Sequence, residues 1–434
     1  MSERWSIRTD WAELETGSPE ERAGFAMLGI YAYDTCLTTG HDRLLQSIQQ
    51  TPHLSAYHLA EWFAWNWWRL RWEPRKQSLD WELSHAMASI GGGYIWPNIR
   101  IDSDGEKITL VCRPTVERAS TPFRYISDSV NVLNAAEFEN GIDLFIETVF
   151  QRLVTRNIRG SNLHDIWRDV LDERQDPILS VRRKLEALLG EDPGEMNEDQ
   201  LQEFASNIET TGQAALEEIA ANRIPGKAIP DIEHLIAIGR SQGTVTHPQD
   251  QVKLDSPISH EAEPAWRVGI RAAQLLRSQE KIDPDVAISD DRLAGMFGAT
   301  RDILKRSGQA IDLSFTLSEF DKHQRTILRS RYDTGRRFEL ARLLGDQLVY
   351  PTADPMRPAT RSNTYRQKAQ RAFAAELLSP FQVVDDMLDG DYSMENQQDV
   401  AHHFKVSSLT IRTLLANHDR IDRRQLDEAD WAHS

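Results

Sequence analysis

Apolar residues recur at helical spacing along most of this chain and alternate in only a few places. In FENGIDLFIETVFQRLVTRNI, Ile142, Phe145, Ile146, Val149, Phe150 and Leu153 form one helical stripe. The same period runs through about 125–240, where no strand is required. Period two appears in YIWPNIRIDSDGEKITLVCRP: Ile99 and Ile101 alternate before Asp104-Gly105, and Ile108, Leu110 and Cys112 alternate after it, which predicts a β-hairpin. It returns in IDLSFTLSEF and QRTILRSRY, read as two short strands. Helices are predicted over WRVGIRAAQLLRSQEKI, DDRLAGMFGA, TGRRFELARLLGDQLVY and RQKAQRAFAAELLSP, the last closed by Pro380. The pattern predicts a predominantly helical α+β protein of several domains.

Candidate boundaries follow from changes in that pattern. An α+β domain over 1–122 holds the hairpin and the helix YHLAEWFAWNWWRLRWEP, which Pro74 ends. Trp65, Trp68 and Trp72 fall at i, i+3 and i+7, so they are read as one face, with Leu59 and Trp62 extending it. That face is either core or a partner or base-stacking surface, with Arg69 and Arg71 beside it. A helical domain over 123–240 contains ten acidic residues and no Lys or Arg between Leu185 and Asn222. Such a stretch repels phosphate; it is a solvated face, a dock for a basic partner, or a cover for a basic region of the same chain. The polar, Pro-containing stretch 241–263 is read as a linker, and its His247 and His260 lack ligand-spaced companions. The last domain spans 264–434.

Charge divides the chain further. The total is −17 over 434 residues. Residues 301–371 carry fifteen Lys+Arg against eight Asp+Glu, leaving −24 for the rest, and twelve of those fifteen are arginine. Arginine suits bidentate contacts to carboxylate or phosphate. Arg329, Arg331, Arg336, Arg337, Arg366 and Arg371 are therefore candidate contacts to a partner or to nucleic acid, together with Trp65, Trp68 and Trp72. Two cysteines, Cys36 and Cys112, are too few for a disulfide framework and are read as buried thiols. The amino terminus lacks the basic start and apolar run of a signal peptide, and no run approaches ~18 apolar residues, so a soluble, cytoplasmic protein is expected.

From about Pro264 to His418 the chain resembles the ImmA/IrrE family of bacterial zinc metallopeptidases. The likeness rests on Ala372-Phe373-Ala374-Ala375-Glu376-Leu377-Leu378-Ser379-Pro380 and, upstream, on Phe338, Ala341 and Gly345 within Arg337–Asp346. It implies a zincin-like domain with short strands, followed by a helix-turn-helix-like tail in DVAHHFKVSSLTIRTLLANH. The family's zinc helix reads H-E-x-x-H, with two histidines holding the metal and the glutamate activating its water. Here those positions are Arg342, Leu343 and Asp346, and the third ligand position falls near Gln367. Arginine is a permanent cation, leucine transfers no proton, and one carboxylate cannot assemble a three-ligand site. An Arg342–Asp346 ion pair at i, i+4 is expected where the metal would sit.

No P-loop or dinucleotide fingerprint is present; Gly91-Gly92-Gly93 precedes a strand, not a helix. The resemblance then implies a pseudoenzyme, with no metal and no cofactor. The expected function is a non-catalytic interaction or regulatory subunit with a protein partner and no membrane contact. The family's biology places it in mobile-element control or antiviral defence. The alternative is a nucleic-acid-associated protein, a subunit of a nucleoprotein effector or a transcription regulator, using the 301–371 region and the tail.

Overall fold

The computed structural model describes residues 4–116, 121–259, 263–305, 311–319, 323–351 and 354–422. They form helices and four small antiparallel sheets. The chain divides into two compact units, one comprising Met1–Ala205, Arg223–Ile229 and Ser362–Thr364, the other Ser206–Asn222, Pro230–Arg361 and Tyr365–Ser434. The α+β expectation holds at this level.

In the first unit the predicted hairpin forms. Ile99–Ser103 pairs with Lys107–Cys112, with Ile99 opposite Cys112. Asp104 Oδ1 accepts from the backbone N–H groups of Glu106 and Lys107, and Gly105 takes φ +96° in the turn. Ile108, Leu110 and Cys112 all point into the core, as their alternation predicts. Cys36, by contrast, is only half-buried.

A third strand of this sheet corrects the all-helical reading of 125–240. Ser129–Asn134 pairs along Lys107–Cys112. Its Val130 and Val132 face solvent while Leu133 enters the core, so the strand carries no inward hydrophobic alternation to detect. Trp5–Trp11 and Phe25–Ala32 build a further antiparallel sheet.

The tryptophan helix spans Ala56–Trp72, capped by Ser55, whose hydroxyl accepts from the His58 N–H. The single tryptophan face is corrected. Trp68 is 2% exposed and Trp65 58% exposed. Trp72 is half-buried between Arg71 and Lys184, whose charges lie 3.7 and 4.2 Å from its ring centre. Leu59, Phe63, Trp67 and Leu70 make the deepest stripe. The helix packs against the hairpin strand Ile99–Ser103 and the helices Ala135–Thr155, Asn162–Gln175 and Pro177–Leu189, so nearly every face is covered. A simple i, i+3, i+7 count cannot separate one face from another in such a helix.

In the second unit a four-stranded sheet runs Thr244–Thr246, Gln324–Ile327, Ser314–Ser318, Met356–Ala359. The two predicted strands are its centre. The edge strand Thr244–Thr246 lies inside the stretch read as a linker. Its inward group is Thr246, which meets Thr326 hydroxyl to hydroxyl at 3.4 Å, and Thr326 meets Thr316 at 3.1 Å. A three-residue strand with a hydroxyl inside leaves no hydrophobic period to read.

Ile232–Gln242 and Asp333–Val349 pack on this sheet, and three helices, Ala265–Gln279, Asp333–Val349 and Tyr365–Leu378, pack against one another. Gly345 of the second permits close approach to the third, because a Cβ there would stand 2.5 Å from the Phe373 ring. The two sequence stretches that carry the family resemblance therefore meet at the Gly345–Phe373 contact. The tail folds as helices Met394–Phe404 and Ser408–Asn417, joined through Lys405 at φ +54° and packed through Phe404, Ile411, Leu414 and Leu415. Among the described residues no helix is long and apolar enough to cross a membrane.

Candidate functional site

The helix Asp333–Val349 buries most of its length, including charged groups that sequence alone would place on a surface. Asp346 is wholly buried at its centre of charge. Arg366, in the first turn of Tyr365–Leu378, grips it with two parallel bonds: Nε to Oδ1 and Nη2 to Oδ2, both 2.6 Å. Arg357 Nη1 donates to Oδ2 at 3.1 Å, and Gln370 Nε2 to Oδ1 at 2.8 Å. Four donors thus occupy the four acceptor sites of one carboxylate. Burial pushes the Asp346 carboxyl upward, but Arg366 and Arg357 outweigh it and hold the group below the usual carboxylate range. Burial likewise opposes the charge on Arg366, yet the carboxylate raises it overall.

Arg342 does not pair with Asp346 as the i, i+4 spacing suggests. Its Nη2 donates instead to Thr360 O at 2.7 Å, Gln367 Oε1 at 2.5 Å and Gln370 Oε1 at 3.3 Å. The reason is competition: Arg366 reaches Asp346 with a bidentate fork, which a side chain one turn away on the same helix cannot match. Burial, with Arg371 nearby, pulls Arg342 down to about 9, still charged at neutral pH. Gln367 completes the cluster, with Nε2 donating to Pro358 O at 3.1 Å and Oε1 accepting from the Thr360 N–H at 2.8 Å. Leu343 is fully buried in the apolar core. Arg342, Asp346 and Gln367, three positions that the resemblance aligns with zinc ligands, are thus within one hydrogen-bonded cluster. No group of three or more His, Cys, Asp or Glu able to hold a metal occurs among the described residues.

The remaining candidates divide by burial. Arg336 donates to five backbone carbonyls, those of Leu304, Leu328, Ser330, Ile303 and Lys305. Arg337 donates to Ile288 O at 2.6 Å and pairs with Asp290. Both are 3% exposed, so neither meets a phosphate in the folded chain, and Arg366 is committed to Asp346. Arg329 pairs with Glu339 at 3.2 Å, Arg371 is half-buried, and Arg331 is exposed. Among the described residues of 301–371, Arg336, Arg337, Arg342, Arg357 and Arg366 are buried and spent on internal partners, whereas Arg301, Lys305, Arg331 and Arg361 are exposed. Trp68 belongs to the core of its unit, its Nε1 donating to Glu173, whereas Trp65 stands in solvent.

The acidic stretch also has internal partners. In the first unit Glu186 pairs with Arg183, Glu191 with Arg223, Asp192 with Arg69 and Glu198 with Arg182. In the second unit Glu218 is buried and its charge bears on Arg342, Arg366 and Arg371. One carboxylate of the stretch thus helps to balance the arginine cluster. His402 and His403 are exposed, and His403 Nε2 lies 2.7 Å from Asp285 O; His260 lies outside the described residues.

Sequence reading missed Arg357 and Gln370. The signal for Gln370 is its position four residues after Arg366 on the same helix, and no local spacing marks Arg357, which lies in the strand Met356–Ala359. Compared with protein-family models, curated proteins and solved structures, the chain matches none.

Proposed function

We propose that this chain is a non-catalytic binding protein, a regulatory or interaction subunit, whose second unit is a zincin-like scaffold of ImmA/IrrE type with its metal centre replaced by a buried ion-pair cluster. The observation that carries the reading is the saturation of Asp346. All its acceptor sites are taken by Arg366, Arg357 and Gln370, so it has no lone pair left to hold a metal or accept a proton. A guanidinium at Arg342 supplies donors where ligation requires lone pairs, and the Oε1 lone pairs of Gln367 are taken by Arg342 and the Thr360 N–H. The cluster fastens the helices Asp333–Val349 and Tyr365–Leu378 together without chemistry. A scaffold kept folded without its scissors retains its use as a grip, and the partner implied is a protein. The setting in mobile-element control or antiviral defence rests on the family resemblance.

A nucleic-acid role using the helix-turn-helix-like tail is the second reading. It loses Arg336, Arg337 and Arg366 to internal bonding, and Arg331, Arg301 and Lys305 remain exposed to serve it. Co-purification from the native host at low and high salt separates the two. A defined protein retained at high salt supports the binding subunit. Nucleic acid recovered only at low salt, without a stable protein, supports the alternative, because phosphate contacts release counterions.

A further inference from the structure

The register of the second unit's sheet has a consequence for two histidines that are 76 residues apart in sequence. Thr246 is opposite Gln324, so the next positions outward, His247 and His323, face each other across the strand ends. Their Nδ1 atoms are 3.1 Å apart and their rings stand at 83° with centres 4.9 Å apart. Both backbones are tied: His247 N–H donates to Gly298 O at 2.9 Å, His247 O accepts from the Asp250 N–H at 3.0 Å, and His323 O accepts from the Glu319 N–H at 3.0 Å. Gly298 sits at φ +71°, and a Cβ there would stand 2.2 Å from His247 O, so the close support of His247 requires glycine.

We infer that His247 and His323 form a two-histidine site for a borderline divalent cation, Cu²⁺ most tightly and Zn²⁺ or Ni²⁺ less so. Metal–nitrogen bonds of about 2.05 Å to two nitrogens at this separation subtend roughly 100° at the ion, which suits tetrahedral and cis-octahedral geometry. Imidazole nitrogen selects these ions over Mg²⁺ and Ca²⁺, and the order among them follows their intrinsic affinities. Both side chains are half-buried, so each ring loses little hydration on binding while the ion stays accessible. The two rings supply only half a tetrahedral shell, and water or groups of a bound partner fill the rest. In the empty pair one Nδ1–H donates to the other Nδ1. Loading the metal moves that proton to Nε2 of the same ring, so the neutral pair binds with a change of tautomer and no net proton release.

The test is titration of tag-free full-length chain with Cu²⁺ and, separately, Zn²⁺ at neutral pH by calorimetry, with wild type, His247→Ala and His323→Ala. One equivalent of Cu²⁺ bound at least tenfold more tightly than Zn²⁺, and weakened at least tenfold in either variant, is expected. Uptake equal in wild type and both variants means an adventitious ion only and overturns the inference, as does no uptake by wild type. If an alanine variant does not fold, His323→Gln takes its place. Electron paramagnetic resonance of the Cu²⁺-loaded wild type adds an independent reading: two coupled nitrogens are expected, and one or none overturns the site. Zinc held here is lost in His247→Ala and kept in Asp346→Asn, which separates it from any metal at the Asp346 cluster.

Discussion

Replacing Asp346 by asparagine tests the cluster at its centre. The amide is nearly the shape of the carboxylate but removes the countercharge of Arg366 and Arg357 and presents an N–H₂ to a guanidinium that can only donate. Breaking a buried pair by removing one partner costs about 3–5 kcal/mol, because the surviving charge is left buried and uncompensated. For a unit of roughly 200 residues, at about 2–4 °C per kcal/mol, the corresponding transition should fall by roughly 6–20 °C. Differential scanning calorimetry reads the shift and chemical denaturation the free energy. The triple variant Asp346→Leu, Arg366→Met and Arg357→Met should recover most of the loss, since well-packed apolar replacement of a whole buried ionic triad is close to neutral. A second consequence concerns acid. The folded carboxyl titrates below its unfolded value, so its stabilisation is fully present above the unfolded pKa near 3.8 and disappears only as pH falls through the lower folded value. The Asp346→Asn deficit should therefore be constant between pH 5 and 8. A deficit under about 1 kcal/mol, additivity of the three substitutions, or a deficit that shrinks between pH 8 and 5 would each refute the reasoning.

Other outcomes follow from individual contacts. His85 is fully buried, and burial, with Arg69 beside it, lowers its pKa to about 3 against the pull of the Trp81 carbonyl. Because the unfolded ring titrates near 6.5, the first unit should lose up to ~1.4 kcal/mol per pH unit between about 6.5 and 3, and a pH series of urea melts should show that slope reduced in His85→Gln. Phe373→Ala removes a fully buried ring and should cost about 3–5 kcal/mol, and Gly345→Ala, which forces a methyl into that ring, about 1–3 kcal/mol; denaturation midpoints check both. Trp65→Ala should change stability by less than about 0.5 kcal/mol while Trp68→Ala costs about 3–5 kcal/mol, so only the first cleanly probes partner binding. Reversal to glutamate at Arg331, Arg301 and Lys305 together should leave the melt within about 1 kcal/mol; unchanged co-purification of nucleic acid in that variant would remove the second reading of function.

What the sequence discloses here is what period and turn chemistry encode. Ile99, Ile101, Ile108, Leu110 and Cys112 announce the hairpin because each points inward, and Asp104-Gly105 specifies its turn. Ser129–Asn134 and Thr244–Thr246 escape notice because their inward groups are a leucine among polar residues and a threonine hydroxyl. The tryptophan helix is recognised as a helix, yet its faces are misassigned, since contact on nearly every side erases the amphipathic contrast. At the cluster, Arg342, Asp346 and Gln367 are singled out only by the family resemblance, and their bonding is not legible. Local spacing suggests Arg342 to Asp346, whereas the fold brings Arg366 and Arg357 from elsewhere, and a bidentate fork wins over a neighbour on the same helix. Net charge misleads for a related reason. A count of arginines over 301–371 cannot tell exposed groups from those, like Arg336, that are spent on backbone carbonyls. The His247–His323 pair is invisible until the strand register places 247 against 323.

The most direct measurement is the intact mass of any protein that co-purifies with the chain at high salt, taken before and after incubation with the tag-free chain and Zn²⁺. The expected result is a stable complex in which the partner keeps its full mass. A partner cut into defined fragments by the wild-type chain, and left whole by a folded Asp346→Asn variant, would contradict the claim that the Asp346 cluster holds the scaffold together without catalysis.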